Sequence, residues 1–120
     1  MNIGDRSKIR MVLPSKGRLH EPAVELMRRS GYSFRLHGRH LYATCTTADI
    51  VFLFVRAEDI PVLVASGAAD VGITGSDLVS ERAVRVEHLL DLGFGRCRLC
   101  LAGPESMADT DLRVFAGKTI

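Results

Sequence analysis

Four short segments of this chain, at 13–19, 55–61, 72–77 and 92–98, are rich in glycine or helix-capping residues, and all but the third also carry basic residues. The first three each join the end of a predicted strand to the start of a predicted helix. A helix start presents free backbone N–H groups and the positive end of the helix dipole, so such a junction suits phosphate or another anion. In an open sheet several such junctions meet at one edge, where ligands of these folds bind. The segments therefore predict an anion site at a sheet edge.

Hydrophobic periodicity predicts the elements that position these junctions. Strands are expected at 9–13, 50–55, 70–74 and 97–102, and a strand or a strand plus a turn at 84–90. Helices are expected from about 18 or 21 to 30, at about 59–66 and at about 76–82. A hairpin-like excursion is expected at 34–47 and a short turn or helix at 111–115. The segment 50–55 is apolar throughout, which is typical of a strand covered on both faces. The pattern predicts an α/β fold with a mainly parallel sheet between helices.

Capping residues define the ends of these predicted helices. Asp59 and Ser76 are expected to cap the second and third helices through their side-chain oxygens. Gly31 and Gly67 are expected to end the first and second helices in a left-handed conformation. The residues 117–120 resemble the opening of a new strand, so we expect the chain to be a piece of a longer product.

Composition limits the class of protein. The chain has 120 residues, of which 47% are hydrophobic and 25% charged, as expected for one globular domain with a core. A formal charge of +2 is too small to indicate nucleic acid or an anionic membrane as a partner. No segment approaches the ~20 apolar residues that cross a bilayer, and no basic-then-apolar leader opens the chain. We therefore expect a cytoplasmic protein with no membrane partner.

Cysteine and histidine give no catalytic or metal-binding pattern. Cys97 and Cys100 have C-x-x-C spacing, but on a strand their sulfurs would point to opposite faces. The odd number of cysteines and the lack of a secretion signal argue against a disulfide framework. The histidines show no ligand spacing, and neither a Ser-His-Asp set nor a Cys-His set is present. We therefore assign no metal site and no catalytic residue.

Four sequence blocks, in this order, resemble those of ATP phosphoribosyltransferase: PSKGRL at 14–19, RAEDIP at 56–61, DVGITGSD at 70–77 and LDLGFGRCRL at 90–99. The resemblance implies a catalytic region like a type II periplasmic binding protein, with two α/β lobes around a cleft. It implies that 1–92 form most of lobe one, and that 93–120 form the hinge and the start of lobe two. Gly93 and Gly95 would then lie at the hinge.

The same resemblance implies an activity. The family transfers the phosphoribosyl group of phosphoribosyl pyrophosphate to N1 of ATP, with Mg²⁺, and releases pyrophosphate in the first step of histidine biosynthesis. It implies homo-oligomers, either self-regulated or served by a separate regulatory subunit. The family's phosphoribosyl pyrophosphate loop would lie beyond Ile120, so we expect this chain to be inactive alone. The alternative is a non-catalytic small-molecule-binding or sensor lobe of the same fold.

Within the resemblance, the residues on the ATP or phosphoribosyl pyrophosphate side are Lys16, Gly17, Arg18, Arg56, Asp70, Thr74, Gly75 and Ser76. The three cations suit phosphate oxygens, although exposed ion pairs are the alternative for both arginines. Asp70 either holds the ribose or base of ATP or makes a turn. The segment 74–76 either donates hydrogen bonds to a ligand or serves as turn and cap.

Overall fold

The computed structural model describes residues 7–36, 41–109 and 111–119. Its centre is a four-stranded sheet in the order β2-β3-β1-β4. The strands are β1 (Ile9–Pro14), β2 (Tyr42–Thr44), β3 (Ile50–Val55) and β4 (Val71–Gly72). β1 runs parallel to β3 on one side and to β4 on the other, and β2 runs antiparallel to β3. The predicted α/β class with a mainly parallel sheet is therefore confirmed.

Helices follow each strand of the parallel part. They are α1 (His20–Arg29), α2 (Ile60–Ala65) and α3 (Ser76–Arg82), and a 3₁₀ turn over Ala57–Asp59 leads into α2. Gly31 after α1 has φ 93° and Gly67 after α2 has φ 81°. Both lie in the left-handed region, which glycine enters without a Cβ clash. The predicted ends of these two helices are confirmed.

The sheet separates two apolar clusters. Leu13 and Phe52 are fully buried in the cluster that contains α1 residues such as Ala23. Val12, also fully buried, faces the other way and packs with Ile60 of α2. Adjacent strand residues point to opposite faces of a sheet, so α1 and α2 cover opposite faces. This is the arrangement that the uniformly apolar sequence of β3 predicted.

The β2 strand lies in the predicted hairpin-like excursion. It forms one arm against β3, with Ala43 opposite Phe52. Residues 37–40 of that excursion lie outside the described residues.

The strands predicted at 84–90 and 97–102 are wrong for the described structure. Neither segment belongs to a strand, and Leu89 and Leu99 are exposed. An apolar pattern forms a strand only where another strand offers backbone partners, and these segments have none among the described residues. The predicted strand at 70–74 is shortened to Val71–Gly72. The turn predicted at 111–115 is confirmed as a 3₁₀ helix over Leu112–Phe115.

The two predicted side-chain caps are also wrong. Asp59 occupies the N-cap position of α2 but has φ −90° and ψ −17°, and its side chain makes no cap bond. The preceding 3₁₀ turn already gives Asp59 a helical backbone, whereas a capping residue needs an extended one. Ser76 is the first residue of α3, and Gly75 is its N-cap. The α3 helix therefore starts without a side-chain cap.

Candidate functional site at the carboxyl edge of the sheet

The path of the chain creates an opening beside the end of β1. The turn after β1 leads to α1 on one face of the sheet, and the turn after the adjacent β3 leads to α2 on the other face. Pro14 and Val55, the last residues of these strands, are aligned as neighbours. In open α/β sheets, ligands bind outside the carboxyl ends of strands whose connections diverge in this way. The predicted basic turns flank this opening.

The β1–α1 turn presents two exposed cations. Lys16 and Arg18 are both exposed, and Gly17 between them has φ 82°. The Ser15 N–H donates to the Val55 carbonyl at 2.7 Å, which fixes the start of the turn against β3. Leu19 is the N-cap of α1 and makes no side-chain cap bond. No side chain caps the positive end of α1, although the His20 N–H is bound to the Gly17 carbonyl and Pro22 has no N–H to offer.

His20, the first residue of α1, also belongs to this turn. Its Nδ1 lies 2.6 Å from the Pro14 carbonyl oxygen, and its ring meets the Phe54 ring edge-on at a centroid distance of 6.1 Å. The sequence prediction did not single out His20, because it tested histidines only for metal-ligand spacing and for nucleophilic catalytic sets. The available signal was its position, which directly follows a glycine-containing turn at a predicted helix start.

The β3–α2 turn presents Arg56. Its side chain is 65% exposed, and its nearest carboxylate is Glu58 at 3.9 Å. An exposed pair at this distance contributes little energy, so the guanidinium stays available to an anion. Neighbouring residues hold the turn in place: Thr74 Oγ1 donates to the Ala57 carbonyl at 2.7 Å, and Arg82 Nε donates to the Glu58 carbonyl at 3.1 Å.

The turn after β4 reaches the same edge. Ser76 is exposed, and Gly75 adopts the extended conformation of an N-cap. The hydroxyl hydrogen of Thr74 is used by the Ala57 carbonyl, which leaves its oxygen as an acceptor only. A Cβ at Gly75 would meet the carboxylate of Asp77, which is exposed and free to move aside. Whether this turn contacts a ligand remains a prediction.

Asp70 lies at the opposite edge from the other predicted binding residues. It precedes β4, and its carboxylate receives hydrogen bonds from Arg10 near the start of β1, including the backbone N–H at 2.8 Å and Nη2 at 3.2 Å. Arg10 Nη2 also donates to the Gly67 carbonyl at 2.9 Å. The Arg10 side chain is only 10% exposed, so this pair ties β4 to β1. An arginine inside an apolar strand was the sequence signal for a buried partner.

The predicted hinge passes beside the β1–α1 turn. Gly93 and Gly95 have φ 77° and 73°. A side chain at Gly95 would collide with the side chain of Leu19, the N-cap of α1. Leu92 and Phe94 pack against the cluster beneath α1. Hinge function stays a prediction, but the segment lies next to the candidate site.

Metal and redox groups do not assemble in the part of the chain that the structure describes. No three His, Cys, Asp or Glu side chains lie close enough there to hold a metal ion. Cys97 and Cys100 are exposed, whereas Cys45 is buried. Burial raises the pKa of the Cys45 thiol, but hydrogen bonds, chiefly from Thr47, outweigh this effect and lower its pKa overall.

Among the described residues, no helix is long and apolar enough to cross a membrane.

An open α/β sheet with basic turns around the opening at its carboxyl edge is typical of proteins that bind phosphorylated ligands. A family model described as HisG, ATP phosphoribosyltransferase, matches residues 56–120, which is more than half of the chain. The chain belongs to the ATP phosphoribosyltransferase family. The family predicted from the four sequence blocks is thus confirmed.

Individual relatives agree with this assignment. The ATP phosphoribosyltransferase of Methanosarcina acetivorans is 47% identical over 114 residues, which cover 93% of this chain and 39% of that protein. That of Methanopyrus kandleri is 53% identical over 98 residues, which cover 81% of this chain and 35% of that protein. The chain therefore spans less than two fifths of the length of these relatives.

A solved structure shares the fold. It is an ATP phosphoribosyl transferase (HisG:HisZ) complex from Thermotoga maritima, with a TM-score of 0.59 and 27% identity. The match covers 68% of this chain and 39% of that chain.

Proposed function

We propose that this chain forms one wall of the active site of an ATP phosphoribosyltransferase. The enzyme transfers the phosphoribosyl group of phosphoribosyl pyrophosphate to N1 of ATP and releases pyrophosphate, in the first step of histidine biosynthesis. The observation that carries the proposal is that exposed Lys16, Arg18 and Arg56 lie on the two turns that follow the paired strand ends Pro14 and Val55, in a member of this family. The chain alone is inactive, since it spans less than two fifths of its relatives.

The proposed chemistry needs charge neutralisation and alignment from the protein. Breaking the bond between C1 and pyrophosphate builds positive charge on the ribose and negative charge on the leaving group. Fixed cations and backbone donors stabilise that charge, and held substrates react without a covalent intermediate. Lys16 and Arg18 on one side of the opening and Arg56 on the other would hold phosphate oxygens of ATP or pyrophosphate.

Mg²⁺ fits this arrangement as an ion held by the substrates. The described residues hold no ligand set for a metal, whereas Mg²⁺ is commonly bound by phosphate oxygens with few protein ligands. When bound, Mg²⁺ would add charge neutralisation at the phosphates. The residues of this chain would then contact the phosphate oxygens that the metal leaves free.

The assembly and location of the protein follow as further parts of this proposal. We propose a cytoplasmic homo-oligomer, with or without a separate regulatory subunit. The solved relative from Thermotoga maritima is titled as a HisG:HisZ complex, which supports a partner subunit as one form of assembly.

Calorimetric titration of the chain with ATP and Mg²⁺ tests the site. Lys16→Ala and Arg56→Ala should each weaken binding by roughly tenfold, because each removes a charge-assisted hydrogen bond to phosphate. Lys118→Ala and Arg113→Ala are the matched controls, since both residues are exposed and lie outside the four predicted segments. Equal losses in site and control variants would contradict a localised site.

Pyrophosphate and adenosine in the same titration separate the enzyme from a sensor lobe. The proposed site should bind pyrophosphate with the same dependence on Lys16 and Arg56, and adenosine more weakly. A sensor lobe for an uncharged solute would bind neither ATP nor pyrophosphate.

A further inference from the structure

We propose that His20 is a positioning residue for the turn that carries Lys16 and Arg18. Its imidazole connects the first turn of α1 to the carbonyl of Pro14, the last residue of β1, at 2.6 Å. Its ring also rests edge-on against Phe54 of β3. One side chain therefore contacts both strands that border the opening and holds the turn between them.

Hydrogen bonds hold both ends of the β1–α1 turn in place, and the contact from His20 to Pro14 is the one made by a side chain. The Ser15 N–H is bound to Val55 of β3 at 2.7 Å, and the His20 N–H is bound to the Gly17 carbonyl at 3.2 Å. The N-cap residue Leu19 contributes no side-chain bond to the helix start. The His20–Pro14 bond closes a loop of a few residues whose middle is exposed, so it removes conformational freedom from Lys16, Gly17 and Arg18.

The same bond defines the tautomer of His20. A carbonyl oxygen only accepts hydrogen bonds, so Nδ1 carries the proton and Nε2 of the neutral ring is the acceptor. The hydrogen bond to Pro14 therefore determines which ring nitrogen carries the proton. An imidazole that merely filled space against Phe54 would have no reason to prefer this tautomer.

The consequence for binding rests on the proposed function. A preformed turn loses less conformational entropy when a phosphate binds. Loss of the His20–Pro14 hydrogen bond should therefore weaken phosphate affinity even though Lys16 and Arg18 are still present. His20 acts through the turn in this proposal and does not itself contact the ligand.

Two substitutions separate the hydrogen bond from the ring. His20→Asn retains a side-chain N–H at nearly the same distance from the backbone, and His20→Phe retains the ring against Phe54 but loses the donor. The measurement is the rate of tryptic cleavage after Lys16 and Arg18 in the native 120-residue chain. Cleavage after exposed Arg98 serves as the internal reference, and cleavage after buried Arg10 reports global unfolding.

His20→Phe should accelerate cleavage after Lys16 and Arg18 by roughly tenfold, which corresponds to one lost hydrogen bond. Cleavage after Arg10 and Arg98 should not change, and His20→Asn should restore the parent rate. The imidazole ¹⁵N shifts of the parent chain should show a protonated Nδ1. A protonated Nε2 in the neutral ring, equal acceleration at Arg10, or unchanged cleavage in His20→Phe would overturn the proposal.

Titration with pyrophosphate links the closure to the binding site. His20→Phe should weaken binding several-fold and His20→Asn should not. If the parent chain binds no pyrophosphate, the proposed function fails, while the cleavage rates and ring nitrogen shifts still decide the role of His20.

Discussion

The cations around the opening differ in how far the chain itself neutralises their charge. Lys16 and Arg18 form no ion pair within the described residues, whereas Arg56 has the Glu58 carboxylate at 3.9 Å. Arg82, farther from the opening, has Asp59 at the same distance. A ligand phosphate at Arg56 must therefore compete with Glu58, while the β1–α1 turn offers its charge without such competition.

Substitution of Glu58 tests this competition. Glu58→Gln should strengthen ATP binding by about two- to threefold, because an exposed pair contributes only ~0.2–1 kcal/mol and its removal frees Arg56. The effect should vanish in an Arg56→Ala background, as a titration of the double variant would reveal. Glu105→Gln is the control, since that carboxylate is exposed and outside the opening. Weaker binding by Glu58→Gln would indicate that Glu58 orders Arg56 and does not compete for it.

At the scale of elements, the approach of α2 to β4 depends on one glycine. A Cβ at Gly72 would lie 2.6 Å from Ile60 Cγ2 and 3.3 Å from Val64 Cγ2. Ile60 is 1% exposed and β-branched, so its methyl group has little room to move. The absence of a side chain at Gly72 therefore brings α2 onto the strand that leads into the third turn of the edge.

Gly72→Ala should lower the free energy of unfolding by about 1–3 kcal/mol, as overpacking does in a filled core. Gly103→Ala is the matched control, because nothing lies within 4 Å of a Cβ there. Urea unfolding followed by circular dichroism measures both. A stability loss in Gly103→Ala equal to that in Gly72→Ala would show that the penalty is not caused by contact with α2.

The sequence predicted correctly those strands and helix ends that depend only on residues close together in the chain. The apolar sequence of 50–55 specified a doubly covered strand, and Gly31 and Gly67 specified helix ends through their own backbone freedom. Arg10 within an apolar strand indicates a buried partner, but Asp70 lies 60 positions away and becomes that partner only because β1 and β4 are neighbours. The cap predicted at Asp59 failed because the preceding 3₁₀ turn gives this N-cap residue a helical backbone, and the cap predicted at Ser76 failed because Gly75 is the N-cap.

The position of each predicted site residue relative to a strand end explains where the structure places it. Lys16, Arg18 and Arg56 follow strand ends, and parallel strands bring their carboxyl ends to one edge whatever the strand order. Asp70 precedes its strand, so the same rule places it at the other edge. His20 was missed because its function depends on two strand ends that only the folded sheet brings together.

At the scale of the whole molecule, the structure is elongated, about twice as long as it is wide. The radius of gyration is 18.3 Å and the extents are 57 × 26 × 26 Å, against the ~14 Å expected for a compact domain of this length. Residues 84–109 and 111–119 are mostly exposed, in contrast to the strands of the sheet. Leu92 and Phe94 are exceptions, since both pack against the cluster beneath α1. The boundary of the cooperative unit should therefore lie just after Phe94.

Truncation of the chain tests whether the cooperative folding unit ends just after Phe94. A chain that ends at residue 96 should unfold in urea with the same free energy as the 120-residue chain, within about 0.5 kcal/mol, because the removed residues bury little apolar surface. Phe94→Ala should lower the stability of both chains equally, by about 1–2 kcal/mol, since it removes a half-buried ring from the cluster. A marked loss on truncation alone would mean that 97–119 contributes to the sheet in solution, with exposed leucines such as Leu99 covering its apolar surface.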